Sequence, residues 1–363
     1  MKVALVYDRL NKWGGAESVL LALHQIWPEA PLYTSVYDKN RAPWAKDFEV
    51  RTSFLQTLPL PKNKHEYYPF LMGIAFESFN FDEFDVVISV THEFAKAIIT
   101  KPHTLHICYC LTPTSYLWSG YDAYFSNKSE LFKKLSAPIV TYLRWYDKII
   151  SHRPDKYVAI SKTVQDRIKD YYGLESEVIY PPVSPIHFQA IASKWIRGNY
   201  FLIVSRLVSN KRIDIAVKAF NQLGLPLKII GTGVEEQRLK NLGGSNVEFL
   251  GHLTHDEMAK HYQKCQALVV PGVEDFGLVS VEAQSHGKPV IAYRGGGSEE
   301  TVIEGKTGYF FDEPTTDSLV RTIKKADLSR IRAEDCRRQA KQFGFDRFKK
   351  EILTSVEKSM YNN

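Results

Sequence analysis

Short β-branched apolar runs alternate with helix-length amphipathic stretches along almost the whole chain, and this alternation constrains the fold most. In the first half the runs are Val3–Tyr7, Leu32–Tyr37, Val86–Val90, Leu105–Cys110, Tyr157–Ile160 and Val178–Tyr180. In the second half they are Phe201–Val204, Leu227–Ile230, Val247–Leu250, Ala267–Val270, Val290–Tyr293 and Gly308–Phe311. Helical patterns cover Ala16–Trp27, Ile213–Leu223, Val234–Leu242 and Asp256–Cys265. Strands that are apolar on both faces and separated by helices belong in parallel sheets covered on both sides. Two such series predict an α/β chain of two doubly wound, Rossmann-like domains, with ligands at the carboxyl ends of the strands. The length, 363 residues, suits two domains at roughly 150 residues each.

The break falls near Tyr180-Pro181-Pro182-Val183-Ser184-Pro185, where three prolines favour extended backbone. The expected domains are 1–182 and 183–345. A last helix, Asp346–Tyr361, carries Phe348, Ile352, Leu353 and Val356 on one side. It needs a surface to cover that side, so the segment 346–363 is expected to pack back on the first domain.

Composition then removes classes. At 44% hydrophobic and 24% charged residues the chain is neither disordered nor of low complexity. A net charge of +6, spread along the chain, lacks the dense basic stripe of a nucleic-acid binder. Two or three placed cations in a phosphate pocket fit it better. The four cysteines form no CxxC pair. Cys108 and Cys110 share one face of a strand, and the simplest reading of all four is buried thiols in a reducing compartment. No apolar run approaches the roughly 18 residues that cross a bilayer, and the N-terminus reads as a strand. A cytoplasmic protein is expected, with peripheral contact to the inner membrane left open.

The strongest chemical signal is Glu274-Asp275-Phe276-Gly277-Leu278-Val279-Ser280-Val281-Glu282. It follows a strand and opens a helix near Leu278, whose free N–H groups can take phosphate or sugar oxygens. Gly277 lets backbone approach a ligand. Glu274 before the helix and Glu282 one turn inside it suit a vicinal diol, since a carboxylate accepts several hydrogen bonds. The plainer reading is a carboxylate at a helix dipole and an ordinary exposed glutamate. Both readings stand at this point.

Ser205-Arg206-Leu207-Val208-Ser209-Asn210-Lys211-Arg212 lies between the strand Phe201–Val204 and a helix. Arg206 offers a planar fork and Lys211 a point charge, a combination suited to a diphosphate. A solvated loop is the alternative, and Arg212 fits that description better. Lys12-Trp13-Gly14-Gly15-Ala16-Glu17 follows the first strand, and its paired glycines make a low loop with available N–H groups. It is neither the GxGxxG fingerprint nor a Walker loop. Val90-Thr91-His92-Glu93 follows a strand, so His92 is expected to reach the crevice, although a lone histidine is more often structural. Arg294-Gly295-Gly296-Gly297-Ser298-Glu299 either admits an acceptor near its backbone at Gly296 or makes a flexible turn.

Residues 55–82 and 111–155 depart from the alternation and are rich in aromatics. They carry Tyr67, Tyr68, Phe70, Phe76, Phe79, Tyr116, Trp118, Tyr121, Tyr124, Phe125, Tyr142, Trp145 and Tyr146. Lys128, Lys133, Lys134, Arg144, Lys148 and Arg153 interleave with the second group. Core packing beneath a solvated face is one account. An acceptor groove including Tyr116 and Trp118, or a membrane-surface patch, is the other.

Together these motifs resemble the family-4 group of retaining glycosyltransferases of GT-B fold, over nearly the whole chain. Glu274 to Glu282 match its E-x7-E motif, Arg206 and Lys211 its phosphate pair, and Gly14-Gly15-Ala16-Glu17 its N-terminal glycine loop. Glu299-Glu300-Thr301-Val302-Ile303-Glu304-Gly305-Lys306-Thr307-Gly308 is similar to the segment after its glycine turn, and Tyr180-Pro181-Pro182-Val183 to the interdomain stretch of bacterial polysaccharide enzymes. The resemblance implies two Rossmann-like domains with a cleft between them. It implies a nucleotide-sugar substrate of UDP-glucose or GDP-mannose type, a saccharide or lipid-linked acceptor, and no cofactor or metal. Glu282 would bind ribose hydroxyls, Glu274 and His92 the donor sugar, and Arg206 and Lys211 the diphosphate. The loop Gly14-Gly15 and the amides of Phe276, Gly277 and Leu278 would line the donor. Relatives often have Cys-His-Thr-Pro where this chain has Cys110-Leu111-Thr112-Pro113, which puts acceptor handling in doubt. A nucleotide-sugar epimerase and a non-catalytic nucleotide-sugar-binding subunit are the competing readings.

Overall fold

Two parallel sheets, each built on continuous apolar strands, organise the computed structural model, which describes residues 1–58, 69–125, 129–183 and 198–362. Tyr67, Tyr68, Lys128, Ser184 and Pro185 lie outside the described residues. The chain divides into two compact units, Met1–Pro182 with Phe348–Asn363, and Val183–Arg347.

In the first unit the strand order is β3-β2-β1-β4-β5-β6-β7. The strands are β1 (Val3–Tyr7), β2 (Leu32–Thr34), β3 (Val50–Thr52), β4 (Val86–Thr91), β5 (Leu105–Cys110), β6 (Lys156–Ala159) and β7 (Glu177–Val178). Every described pairing is parallel. β1, β4 and β5 are buried along their whole length, as expected where helices cover both faces. Strand order reverses at β1 and β4, and their loops 8–14 and 92–97 open on the carboxyl edge there. The helix Lys162–Tyr172 shows how local sequence sets the boundaries. Ser161 caps it by accepting from the Val164 amide at 3.1 Å, and Gly173 closes it in the left-handed region. The four cysteines are buried and free.

Strand β3 is absent from the expected set, because Val50-Arg51-Thr52 has one apolar residue and lies half-exposed at the sheet edge. β7 has two residues rather than the expected Val178–Tyr180, and Pro181 beyond it has no N–H for a ladder. The C-terminal helix Phe345–Asn362 buries Phe348, Ile352 and Val356. The Phe348 ring lies 6.0 Å from that of Tyr109 on β5, and the Ser355 hydroxyl donates to Glu177 at 2.7 Å.

The helix Glu130–Ile150 is fixed by a fully buried carboxylate. Asp147 accepts from Lys96 Nζ at 2.8 Å, the Thr114 hydroxyl at 2.8 Å, Trp118 Nε1 at 2.7 Å and the Tyr172 hydroxyl at 2.8 Å. Burial alone would lower the Lys96 pKa, but the charge and hydrogen bond of Asp147 outweigh it and hold the ammonium above its ordinary value. One carboxylate thus joins four separate segments. Phe76, Phe125, Val140 and Leu143 fill the core around it, with Phe79, Tyr116, Trp118, Tyr121 and Tyr146 packed against that core.

The second unit has strand order β10-β9-β8-β11-β12-β13. The strands are β8 (Phe201–Val204), β9 (Leu227–Ile230), β10 (Val247–Gly251), β11 (Leu268–Val270), β12 (Val290–Tyr293) and β13 (Gly308–Phe311). These pairings are parallel too, and the order reverses between β8 and β11.

Replacing Asp147 by Ala leaves the buried Lys96 charge uncompensated. We expect Asp147→Ala to destabilise the first unit by about 3–5 kcal/mol in denaturant titration.

Candidate functional site

In the second unit, the loops after β9, β8, β11 and β12 lie side by side along the carboxyl edge, in the order of their strands. They touch backbone to backbone. A Cβ on Gly272 would stand 2.8 Å from the Lys211 carbonyl oxygen and 2.9 Å from that of Asn210. One on Gly297 would collide with the Phe276 backbone, and one on Gly231 with the Ser205 carbonyl. The Gly297 amide donates to the Glu274 carbonyl at 2.7 Å, and Gly296 forms a parallel bridge with Glu274. The close approach at Gly296 is therefore to the chain's own Glu274 loop.

This edge-to-edge packing brings Lys211, after β8, to Glu274, after β11, with Lys211 Nζ donating to Glu274 Oε2 at 2.8 Å. Both side chains keep partial access to solvent, at 15% and 18%. Arg212, beside Lys211, is held at φ 51°, a left-handed conformation that costs a non-glycine residue about 1–3 kcal/mol. It is the only non-glycine there among the described residues, and its guanidinium lies 3.4 Å from Asp214. Arg206 is exposed and in no ion pair among the described residues.

Gly277, at φ 91°, caps the helix Leu278–Ser285 without a side-chain hydrogen bond, which leaves the first N–H groups, Leu278 included, without a side-chain cap. Phe276 is buried, with its ring 5.3 Å from Phe343. One turn in, Glu282 accepts from the Tyr262 hydroxyl at 2.8 Å. Burial, then Glu282, raises the Tyr262 pKa well above its ordinary value, so the phenol stays a donor. The structure therefore joins Lys211 to Glu274 directly, anchors Glu282 through Tyr262, and leaves Arg206 open on the same edge. Tyr262 and Gly231 are not found by sequence reading. An aromatic in an amphipathic helix reads as core, and a single glycine after a strand reads as a turn.

In the first unit the same topological position holds a buried network. Asp8, after β1, accepts from the amides of His92 at 2.9 Å and of Phe94 and Ala95 at 2.8 Å, and from the Thr91 hydroxyl at 3.0 Å. His92 Nδ1 lies 3.1 Å from Asp8, and Arg9 Nη2 lies 3.4 Å from His92 Nε2. Such an arrangement fixes the ring, with Nδ1 toward Asp8 and Nε2 toward Arg9 and Glu93. Arg9 is bidentate on Glu93, at 2.5 and 2.9 Å. Burial pushes the Asp8 carboxyl up, but the hydrogen bond and charge of His92 outweigh it and hold it below its ordinary value.

The loop of Gly14 and Gly15 starts the helix Gly15–Ile26, where buried Glu17 accepts from the Tyr7 hydroxyl at 2.9 Å. Tyr116 is part-buried against the core, and Trp118 stacks on Tyr171 with its N–H spent on Asp147. Asp8 and Arg9 are also missed by sequence reading. Charges directly after a strand read as a solvated loop, and only the pairing of β1 with β4 reveals their partners.

Residues 192–343 match the family model for glycosyl transferases group 1. An uncharacterized glycosyltransferase of Methanocaldococcus jannaschii is 29% identical over 213 residues, 56% of this chain and 60% of that protein. A GDP-mannose-dependent alpha-(1-6)-phosphatidylinositol monomannoside mannosyltransferase of Mycobacterium tuberculosis is 31% identical over 148 residues, 36% of this chain and 38% of that protein. The matches thus span less than two thirds of either relative. Among solved structures, sucrose-phosphate synthase of Thermosynechococcus elongatus superposes with TM-score 0.73 at 18% identity, covering 100% of both chains. Anabaena HepE in complex with UDP and glucose gives 0.71 at 18% identity, covering 98% of this chain and 99% of that one. These neighbours place both units in the GT-B fold.

Two outcomes test the geometry. Gly297→Ala forces a methyl into the Phe276 backbone and should destabilise the second unit by about 1–3 kcal/mol in thermal unfolding. The lowered Asp8 pKa means that the folded state binds its proton less readily than the unfolded chain. Its stabilisation is complete above the ordinary value of 3.8 and is lost as pH falls through the lower folded value. Acid titration of Asp8→Asn should show a shallower loss of stability below that pH than the unsubstituted chain.

Proposed function

We propose that this chain, whose residues 192–343 belong to the glycosyl transferases group 1 family, moves a hexose from a nucleotide sugar to a saccharide or lipid-linked saccharide, with retention at the anomeric carbon. The observation that carries the reading is the largely shielded but still accessible Lys211–Glu274 pair at the β8/β11 reversal, with Arg206 on the loop after β8 and a helix start after Gly277. Each member of the pair holds the other's charge until a ligand arrives. A diphosphate offers Lys211 a more highly charged partner, with Arg206 as a second cation. Glu274, released, accepts hydrogen bonds from sugar hydroxyls. The amides at the start of Leu278–Ser285 take the oxygens nearest the backbone. Glu282, held by Tyr262, receives the ribose diol.

In the reaction, the bond from the anomeric carbon to the diphosphate oxygen breaks, and an acceptor hydroxyl oxygen bonds to the same face of that carbon. The acceptor proton passes to the departing diphosphate. Arg206 and Lys211 stabilise the charge that grows on the leaving group, an effect present mainly in the transition state. In the first unit the reading assigns the acceptor side and His92, whose ring Asp8 orients. Donors of both the UDP-glucose and GDP-mannose types are carried forward, since one relative is named for GDP-mannose and one neighbour was solved with UDP and glucose.

The test begins with thermal unfolding of the full chain against UDP and GDP. The cognate diphosphate should raise the midpoint by mass action, and adenosine monophosphate should not. With the cognate donor, Lys211→Ala should cut turnover by about 100-fold or more while the melting point holds. Glu282→Ala should weaken nucleotide binding most. A chelator should leave turnover unchanged, because the reading gives charge neutralisation to two side chains. Wild-type turnover by both variants overturns the proposal. Isomerised nucleotide sugar without acceptor makes the chain an epimerase, and binding without sugar release makes it a donor-binding subunit.

A further inference from the structure

The helix Glu130–Ile150 has three faces, and one of them is apolar yet exposed among the described residues. Val140, Leu143, Asp147 and Ile150 face the core. About a third of the way round the helix, Leu131, Leu135, Tyr142, Trp145 and Ile149 form a second line. Leu131 is 68% exposed, Leu135 70% and Trp145 58%, which is the opposite of what burial of a core face would give. The line continues onto the neighbouring helix Pro69–Glu77, where the exposed Phe70 ring lies 5.6 Å from that of Tyr142. Singly exposed apolar residues are ordinary, but an aligned run of this length on one helix marks an interaction surface.

The charges beside the line indicate the partner. The helix carries Lys133, Lys134, Arg144 and Lys148 against Glu130 and Asp147. Glu130 is held by Lys133 at 2.7 Å, and Asp147 is buried under Lys96. Lys134 and Lys148 are exposed, and neither is in an ion pair among the described residues. The apolar line is thus bordered by cations, with each carboxylate on the helix already committed. A basic border, an aliphatic row and amphipathic aromatics suit a helix lying in the plane of a bilayer interface.

We propose that this face of the first unit docks on an anionic membrane surface. Leu131, Leu135 and Ile149 enter the acyl boundary, Tyr142 and Trp145 settle at headgroup depth, and Lys134 and Lys148 meet lipid phosphates. Pairing with a second copy is the competing occupant. It is disfavoured because an isologous contact faces the same cations toward one another, and because Pro138 stands in the line where a coiled-coil seam needs regular knobs. The proposal concerns the first unit alone and does not rest on the donor reading. No helix among the described residues is long and apolar enough to cross a membrane, so the contact is a surface one.

The experiment is co-sedimentation of the full chain with vesicles of phosphatidylglycerol and phosphatidylcholine in equal parts, against phosphatidylcholine alone. The chain should sediment with the anionic vesicles and be released by salt. Two double variants, Leu135→Glu with Trp145→Glu and Lys134→Glu with Lys148→Glu, should each weaken binding by about tenfold or more. The four positions are exposed, and the charge reversal gives up the contact of the Lys148 ammonium over the Trp118 ring at 5.6 Å, so circular-dichroism melting should stay close to the wild-type value and the nucleoside-diphosphate thermal shift should be unchanged, which keeps this test separate from that of the donor site. A chain that stays in the supernatant with anionic vesicles overturns the proposal. So does binding that survives the Leu135→Glu/Trp145→Glu change. A dimer in sedimentation velocity that this variant disperses, without vesicle binding, assigns the face to a second copy instead.

Discussion

The second unit depends on backbone lying directly against backbone along the carboxyl edge of its sheet. Adjacent parallel strands stand about 4.8 Å apart, and the loops that leave them must keep that spacing or splay. A glycine at each seam removes the side chain that would push the loops apart: Gly231 between β9 and β8, Gly272 between β8 and β11, Gly297 between β11 and β12. Lys211 and Glu274 are 63 residues apart in sequence and 2.8 Å apart in space because the middle seam is closed. The charge pair is a product of the packing rather than its cause. An ion pair shielded to this degree gives back in desolvation much of what it gains in attraction, which leaves too little net stabilisation to hold two loops together.

The two units place different chemistry at equivalent points of the same topology. At the β1/β4 reversal, Arg9 and Glu93 are only 4% and 6% exposed, and Asp8 draws on three backbone amides. Removing either partner there strands a buried charge, so the arrangement is locked. At the β8/β11 reversal the ions keep a limited opening to water, at 15% and 18%. Geometry alone thus separates a rigid support, which orients His92, from a pair that the proposed reading lets exchange with a ligand.

Much of the fold was legible because buried parallel strands are written as unbroken apolar runs. Val3–Tyr7, Leu105–Cys110 and Phe201–Val204 begin and end where those runs do. The edge strand Val50–Thr52 escapes the same logic, since half-exposed residues carry no such signature. At the site, Glu274, Glu282, Arg206 and Lys211 stand out by charge and spacing next to strand ends. What spacing does not convey is who holds whom. That Tyr262 anchors Glu282, or that Asp147 claims the indole of Trp118, follows from contacts between segments distant in sequence, which leave no local mark. The aromatic segment divided along the same line. Trp118 and Tyr146 went inward because polar partners waited there, whereas Tyr142 and Trp145 find none among the described residues.

The helix Phe345–Asn362 belongs with the first unit although it follows the second in the chain. A ribosome therefore delivers every strand of the seven-stranded sheet early, yet withholds Phe348, Ile352 and Val356 until residues 183–347 have emerged. During that interval the surface beside Tyr109 and Glu177 waits uncovered. The second unit has all its residues first, and the first unit is completed last, reversing the usual amino-to-carboxyl order of domain maturation.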